Sequence, residues 1–279
     1  MDRLTTESYW NAKYDDSETP ARQPSHIWSS RIKRLLGPRV VSRMHNYADR
    51  MLWDVILPAH LPPGAGRRAI EIGSAPGIQL VRMHRRFGYE VYGVEYTEAG
   101  VAANRRVFAE AGLDPDHVFH RDFFSDQFHE EHRESFDLVM SRGFIEHFDD
   151  VADVVRRHFE LAKPGGCVFV VIPNLRGVNY ALTWLFHREL IPMHNLEIMD
   201  LAVFRALFQQ LGQSQVCRYY GTFSFSAFNT KPDSMMRRVL NGCQRLQMPL
   251  NLLFGMLMGD RGLEHRNVSP YLVYLGIKE

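Results

Sequence analysis

From residue 68 onward the chain switches repeatedly between two hydrophobic rhythms. Short apolar runs rich in β-branched residues, RAIEIG, YEVYGVE, HVFHRD, FDLVMS and CVFVVIP, read as strands. Between them apolar positions recur at helical spacing, over 77–87, 97–111 and 149–162. Continuous apolar runs describe strands buried on both faces, and their alternation with helices describes parallel crossovers. The pattern predicts an α/β fold, an open, mostly parallel sheet with helices on both faces and right-handed βαβ units. In LAKPGGCVFVV, Pro164 and the Gly165-Gly166 pair are expected to end a helix before the next strand begins.

Two regions fall outside this rhythm. Residues 1–60 read as a helical lead-in, with RMHNYADRMLWDVIL periodic enough to pack on the sheet as a helix. After Pro173 helical inserts dominate, at 178–190, 199–211 and a Met-rich 234–258, while strands at 214–220 and 271–277 complete the sheet. The expected layout is a lid or lead-in over 1–60 and one main domain over 61–279, decorated by a helical cap at about 176–212 and 231–268. Gly242, Pro249 and Gly255 argue against a single uninterrupted amphipathic helix in the Met-rich segment. That segment reads as a cap over an apolar substrate or partner; a membrane-surface contact through 234–258 and a homodimer contact are the alternatives.

Composition narrows the class without deciding it. A formal net charge of +1 and arginine pairs scattered along the chain offer no basic patch for nucleic acid. Three cysteines without C-x-x-C spacing give neither a disulfide framework nor a zinc-binding pattern. No run reaches the ~18 apolar residues of a spanning helix. The polar N-terminus lacks the layout of a signal peptide, so a cytoplasmic protein is expected.

The chemistry concentrates in AIEIGSAPGIQL, residues 69–80. A turn that only reverses direction needs one glycine; here Gly73, Ser74, Ala75, Pro76 and Gly77 follow Glu71 in a cluster, so a ligand is expected to approach the backbone closely. The amides there and the following helix N-terminus favour a ligand carboxylate or phosphate. Glu95 ends the second strand about eighteen residues later, the usual spacing for an acid that grips ribose hydroxyls. Turn and acid together indicate a nucleoside-containing ligand. A dinucleotide fingerprint would need glycines where Ala75 and Ile78 stand.

An acid two residues before the first glycine of G-x-x-x-G, as in Glu71 to Gly77, resembles motif I of the class I S-adenosylmethionine-dependent methyltransferases. RDFF, FDLVMSRGFIEHFDD and LAKPGGCVFVVIPN are similar to later motifs of those enzymes, ubiquinone-type O-methyltransferases among them. The resemblance covers roughly residues 65–175 and implies a Rossmann-like seven-stranded sheet, S-adenosylmethionine as cofactor and S-adenosylhomocysteine as product. It implies that Gly73, Ser74 and Gly77, with Ala75 at the family's middle glycine, line the methionine half. By the same resemblance Glu95 takes the ribose, Tyr96 stacks near adenine, and Asp122 accepts from the adenine amino group beside Phe123. Ser141, Arg142 and Gly143 would face the sulfonium and the acceptor, and Tyr9 and Trp10 stand where related enzymes carry a lid.

The catalytic candidates are Glu146 and His147 in FIEHF and His194 in IPMHNLEIMD, either histidine being a base or a supporting residue. Asn174 either points toward the pocket or closes a turn. FHEEHRES, with His129 and His132, reads as a polar loop, and no metal is expected. The function that follows is methyl transfer to a small molecule, natural product or glycan, at oxygen first. Nitrogen or carbon acceptors, including lipid chains modified as by cyclopropane synthases, stay open, as do a macromolecular acceptor and a non-catalytic scaffold.

Overall fold

The computed structural model describes residues 2–15, 46–222, 224–225, 235–259 and 263–279. Seven strands form one sheet: β1 (Arg68–Ile72), β2 (Glu90–Glu95), β3 (Val118–His120), β4 (Phe136–Arg142), β5 (Ala162–Pro173), β6 (Gly212–Tyr220) and β7 (Tyr271–Lys278). Their order is β3-β2-β1-β4-β5-β7-β6. Strands β1 to β5 pair in parallel, while β7 lies antiparallel between β5 and β6.

Period-two alternation sends each strand's side chains to two cores. Ala69, Val91, Met140 and Phe169 pack on one face, Ile70, Tyr92, Val139 and Val170 on the other. The first face is covered by α2, α3 (Ile78–Phe87) and α4 (Glu98–Ala111). Here α2 comprises Tyr47–Arg50, a π-helical stretch Met51–Ile56 and Leu57–His60, and buries Trp53 completely. The second face is covered by α5 (Asp126–His132), α6 (Val151–Leu161) and α8 (Leu201–Ala206), the last preceded in the chain by α7 (Val178–His187). Truncating Trp53 or the equally buried Phe108 to alanine costs about 3–5 kcal/mol by the usual cavity rule. Helix starts follow side-chain chemistry: Thr97, Asp150 and Asp200 accept from backbone amides two or three residues on.

Four expectations are corrected. Strand β5 begins at Ala162, directly after α6, so Pro164 and the glycine pair lie within a bulged strand rather than between helix and strand. Phe136 pairs with Ala162 and Leu138 with Cys167; the extra residues are absorbed where Gly165 takes φ +74°. His129 and His132 belong to helix α5, not a loop, because Phe128 and His129 are buried beneath it. The 199–211 insert holds only the short helix α8. The Met-rich segment is one helix, α9 (Met235–Met258), running through Gly242, Pro249 and Gly255. Pro249 lies on its exposed side, where water can solvate the carbonyl that proline leaves without a donor. Rather than roofing the substrate side, α9 packs on α2: Phe254 meets Tyr47 at 6.4 Å between ring centroids.

Candidate active site

The carboxyl ends of β1, β2, β4 and β5 open onto a cavity of about 460 Å³. It lies where strand order reverses between β1 and β4, the usual ligand crevice of an open α/β sheet. Gly73 (φ +65°) and Gly77 (φ +90°) hold the turn after β1 in left-handed conformations. A Cβ on Gly73 would stand 2.7 Å from the Phe144 ring, and one on Gly77 2.1 Å from Asn104 Oδ1. Asn104 in turn donates to Ser74 Oγ at 2.6 Å, fixing that buried side chain. The expected amide cradle is largely spoken for. The Gly73 and Ser74 amides donate to Val94 O, and the Gly77 amide to Ser74 O. The glycines therefore give close approach, not donors.

At the β2 end, Glu95 Oε1 accepts from the Tyr96 and Thr97 amides and from Thr97 Oγ1, at 2.8–3.0 Å. These bonds orient the buried carboxylate toward the cavity that it lines. Asp122 Oδ1 accepts from the Phe124 amide, closing a turn, and its Oδ2 accepts from Arg3 at 2.6 Å. The Arg3 guanidinium also lies 4.5 Å from the centre of the Tyr96 ring. Arg3 thus covers both groups expected to meet an adenine. Phe123 reaches the cavity wall, yet it is mainly a core ring against Phe144, His129 and His158.

The N-terminal segment closes the cavity. The Leu4 amide donates to His147 O, and Arg3 bridges antiparallel to Phe148. Helix α1 (Glu7–Asp15) follows; none of its residues is buried, and Tyr9, Trp10, Lys13 and Tyr14 line the cavity. Tyr14 Oη donates to Ala75 O at 3.1 Å, Asn11 Oδ1 accepts from the first turn of α4, and Trp10 meets the His147 ring edge-on at 5.3 Å.

Glu71 is buried on the cavity wall with Oε2 lacking a hydrogen-bond partner, and burial pushes its carboxyl up to about 8 against the pull of Arg142. Arg142, also on the wall, leaves Nε and Nη1 without partners. Gly143 lines the same wall at φ +66°. Ser141 does not: its side chain is fully buried and lies off the cavity, because strand alternation turns it into the sheet's packed face. Asn174 is likewise off the wall, donating to the Arg266 and Ser269 carbonyls to close a turn.

Beyond Gly143, Glu146 and His147 lie on a 3-10 turn, and His194 reaches them from the insert after β5. The two imidazoles are 4.6 Å apart, and His147 Nε2 is 3.9 Å from Glu146 Oε1. His147 Nδ1 donates to Met193 O at 2.7 Å and His194 Nδ1 to Leu190 O at 2.6 Å, which leaves each Nε2 as an acceptor. Burial lowers the His147 pKa to about 3 and that of His194 below its ordinary value. Burial raises the Glu146 carboxyl to about 8.

The structure therefore gathers most of the expected residues around one cavity and moves Ser141 off it. It also supplies residues the sequence reading missed, among them Arg3, Lys13, Tyr14, Arg121 and Phe144. Lys13 and Tyr14 stand four residues after Tyr9 and Trp10, a helical spacing that would have found them; Arg3 left no signal.

Comparison with known proteins agrees with this geometry. A methyltransferase-domain family model matches residues 28–216. The chain belongs to that family. It is a class I S-adenosylmethionine-dependent methyltransferase by motif and fold. The ubiquinone biosynthesis O-methyltransferase of Stutzerimonas stutzeri is 35% identical over 117 residues, covering 42% of this chain and 49% of that one. Its counterpart in Pseudomonas aeruginosa is 36% identical over 110 residues, or 39% and 46%. The chain spans about half the length of the curated relatives it matches. Among solved structures, a SAM-dependent methyltransferase from Archaeoglobus fulgidus has a TM-score of 0.50 at 18% identity, covering 82% of this chain and 94% of that one. The geranyl diphosphate C-methyltransferase of Streptomyces coelicolor, solved with Mg²⁺, geranyl-S-thiolodiphosphate and S-adenosylhomocysteine, scores 0.51 at 17% identity, covering 80% and 74%. Both show the fold alone. No helix among the described residues is long and apolar enough to cross a membrane.

Proposed function

We propose that this methyltransferase moves the methyl group of S-adenosylmethionine to an oxygen of a small, partly apolar acceptor. The observation that carries the reading is a cavity with two chemically different ends. One end, between the Gly73–Gly77 turn and Glu95, fits a nucleoside; the other, walled by Trp10, Phe144 and Phe148 around Glu146, His147 and His194, fits a reacting acceptor. The residues present suit the cofactor. Glu95 is oriented for ribose hydroxyls, while Arg142 offers unpartnered guanidinium nitrogens to the carboxylate, and Glu71 an unpartnered carboxyl oxygen to the ammonium, of a zwitterionic amino-acid tail. Ubiquinone O-methyltransferases among the relatives support oxygen as the accepting atom.

When bound, the cofactor supplies an electrophilic methyl on a sulfonium. The chain's part is alignment and exclusion of water. Helix α1 closes the cavity through Tyr14 and Asn11, and the aromatic wall orients an apolar acceptor body. His147 and His194 present Nε2 lone pairs to an acceptor hydroxyl, their rings held by the Met193 and Leu190 carbonyls. With His147 lowered to about 3, His194 is the better base, and His147 orients the hydroxyl as a hydrogen-bond acceptor.

Label transfer from methyl-labelled cofactor to a panel of phenols, aliphatic alcohols and amines tests the reading. Hydroxylated acceptors should be labelled, and His147→Ala and His194→Ala should each lower kcat by about 10²-fold with S-adenosylhomocysteine affinity unchanged. Labelling of amines alone, or full turnover in both variants, would contradict it.

A further inference from the structure

The far end of the cavity holds a donor set that proton transfer alone does not require. Glu146, His147 and His194 each place one ligand-capable atom within 4.8 Å of the other two. They come from two separate turns, Ile145–His147 after β4 and Arg188–Met193 in the insert. The second turn anchors both imidazoles: the Met193 carbonyl takes the Nδ1 proton of His147, and the Leu190 carbonyl that of His194. Backbone-held imidazoles that aim the opposite nitrogen at a common point are the usual outer support of metal-binding histidines. Glu146 supplies the independent observation. Its side chain is fully buried, and neither carboxylate oxygen makes a hydrogen bond of good geometry; the backbone amides of its own turn and the Lys13 ammonium act on it. Buried there, the carboxyl either keeps its proton or exchanges it for a cation that meets both it and the two imidazole nitrogens.

We propose that Glu146, His147 and His194 bind one divalent cation of the Zn²⁺ type, with an open position facing the cavity. Two imidazoles and one carboxylate are the ligands of a catalytic zinc site that keeps its fourth position for water or substrate. Ligands at ~2.1 Å from a tetrahedral ion lie ~3.4 Å apart, so the donors need to draw together by roughly 1 Å. Lys13 on α1 is the competing charge, since its ammonium faces the same carboxylate from the lid. His187 faces His194, and Glu189 faces His187, both outside the donor set.

The role of the cation rests on the oxygen-acceptor reading above; its binding does not. With both Nε2 atoms on the cation, the two imidazoles act as ligands in place of their role toward the acceptor proton. An acceptor hydroxyl at the open position then loses its proton to solvent more readily beside a Lewis acid. The oxygen's electron pair then forms the new carbon–oxygen bond, the methyl–sulfur bond breaks, and its electrons stay on sulfur. Vicinal dihydroxy or hydroxy-keto acceptors, which can offer two oxygens, suit such a site best.

Calorimetric titration of the chelator-treated full chain with Zn²⁺, and with Co²⁺ as a spectroscopic stand-in, tests the proposal. The expected result is one tight site per chain and visible Co²⁺ ligand-field bands. Glu146→Gln and His194→Ala should each weaken binding at least 100-fold and abolish the bands. Lys13→Met, which removes the competing ammonium, should tighten it several-fold. S-adenosylhomocysteine titrated into the same samples reports whether each variant is folded. No tight site in the wild type, or affinity and bands unchanged in both ligand variants, would overturn the cation while leaving the cofactor reading intact. A metal site without S-adenosylhomocysteine binding would overturn the cofactor reading instead.

Discussion

At Gly77 the backbone stands at φ +90°, and a methyl group built there would meet Asn104 Oδ1 at 2.1 Å. Gly77→Ala therefore adds left-handed strain of about 1–2 kcal/mol and displaces the side chain that positions Ser74. A lower melting temperature and at least tenfold weaker S-adenosylhomocysteine binding are the expected outcomes; an unchanged affinity would show that the turn does not cradle the ligand. Glu71 makes a prediction about pH. Its folded-state pKa, about 8, lies above the ordinary 4.5, so the folded chain holds a proton there that the unfolded chain has lost. Stability linked to this proton is complete below about pH 4.5 and declines as pH rises toward 8, by up to about 1.4 kcal/mol per pH unit. Denaturation of wild type and Glu71→Gln in parallel isolates it: the difference in unfolding free energy should move in the variant's favour across that window. A pH-independent difference would refute the raised pKa. The turn and Glu95 were legible in the sequence because their spacing is local. Ser141 was misplaced because facing cannot be read from nearness to a strand's end.

The element that most changes the picture is the N-terminal segment. Helix α1 buries none of its own residues; it lies along α4, and its contacts include Tyr14 to Ala75, Asn11 to the start of α4 and Trp10 against His147. An element with no buried residue opens at lower cost than the core elements. Arg3 is its most consequential residue, lying over Tyr96 and paired with Asp122, the groups expected to contact adenine. Both partners in that ion pair are partly exposed, and a pair of this kind contributes about 0–1 kcal/mol. Removing it should therefore tighten nucleoside binding modestly. In Arg3→Ala, S-adenosylhomocysteine should bind up to about fivefold more tightly, with the gain shrinking at high salt; weaker binding would show that Arg3 is part of the cofactor site. Tyr9 and Trp10 pointed to this lid from sequence, but the reach of Arg3 across to Asp122 depends on tertiary closure, which no local pattern encodes. The same limit applies to α9. Gly242, Pro249 and Gly255 argue for breaks by propensity, and packing of the helix on α2 outweighs them.

For the molecule as a whole, the apolar rhythm was sufficient to read the parallel half of the sheet, because its inner strands are buried on both faces while the edge strand β3 is partly exposed. The bulge after α6 was not readable: Pro164 and two glycines suit a helix stop and a strand bulge equally well. The pairing of Glu146 and His147 with His194 was hidden for a different reason. It joins positions nearly fifty residues apart, and only the insert's folding over the carboxyl end of β4 brings them together. The resulting cavity places two chemically different ends under one lid, and the proposed role of the end at Gly73–Gly77 and Glu95 is to hold the methyl donor's nucleoside. Calorimetric titration of the purified chain with S-adenosylhomocysteine, beside Glu95→Ala and with NAD as a control ligand, tests that claim most directly. One-to-one binding is expected, weakened at least tenfold, about 1.4 kcal/mol, by Glu95→Ala, with no uptake of NAD. Absence of S-adenosylhomocysteine binding in the wild type, or NAD binding in its place, would contradict it.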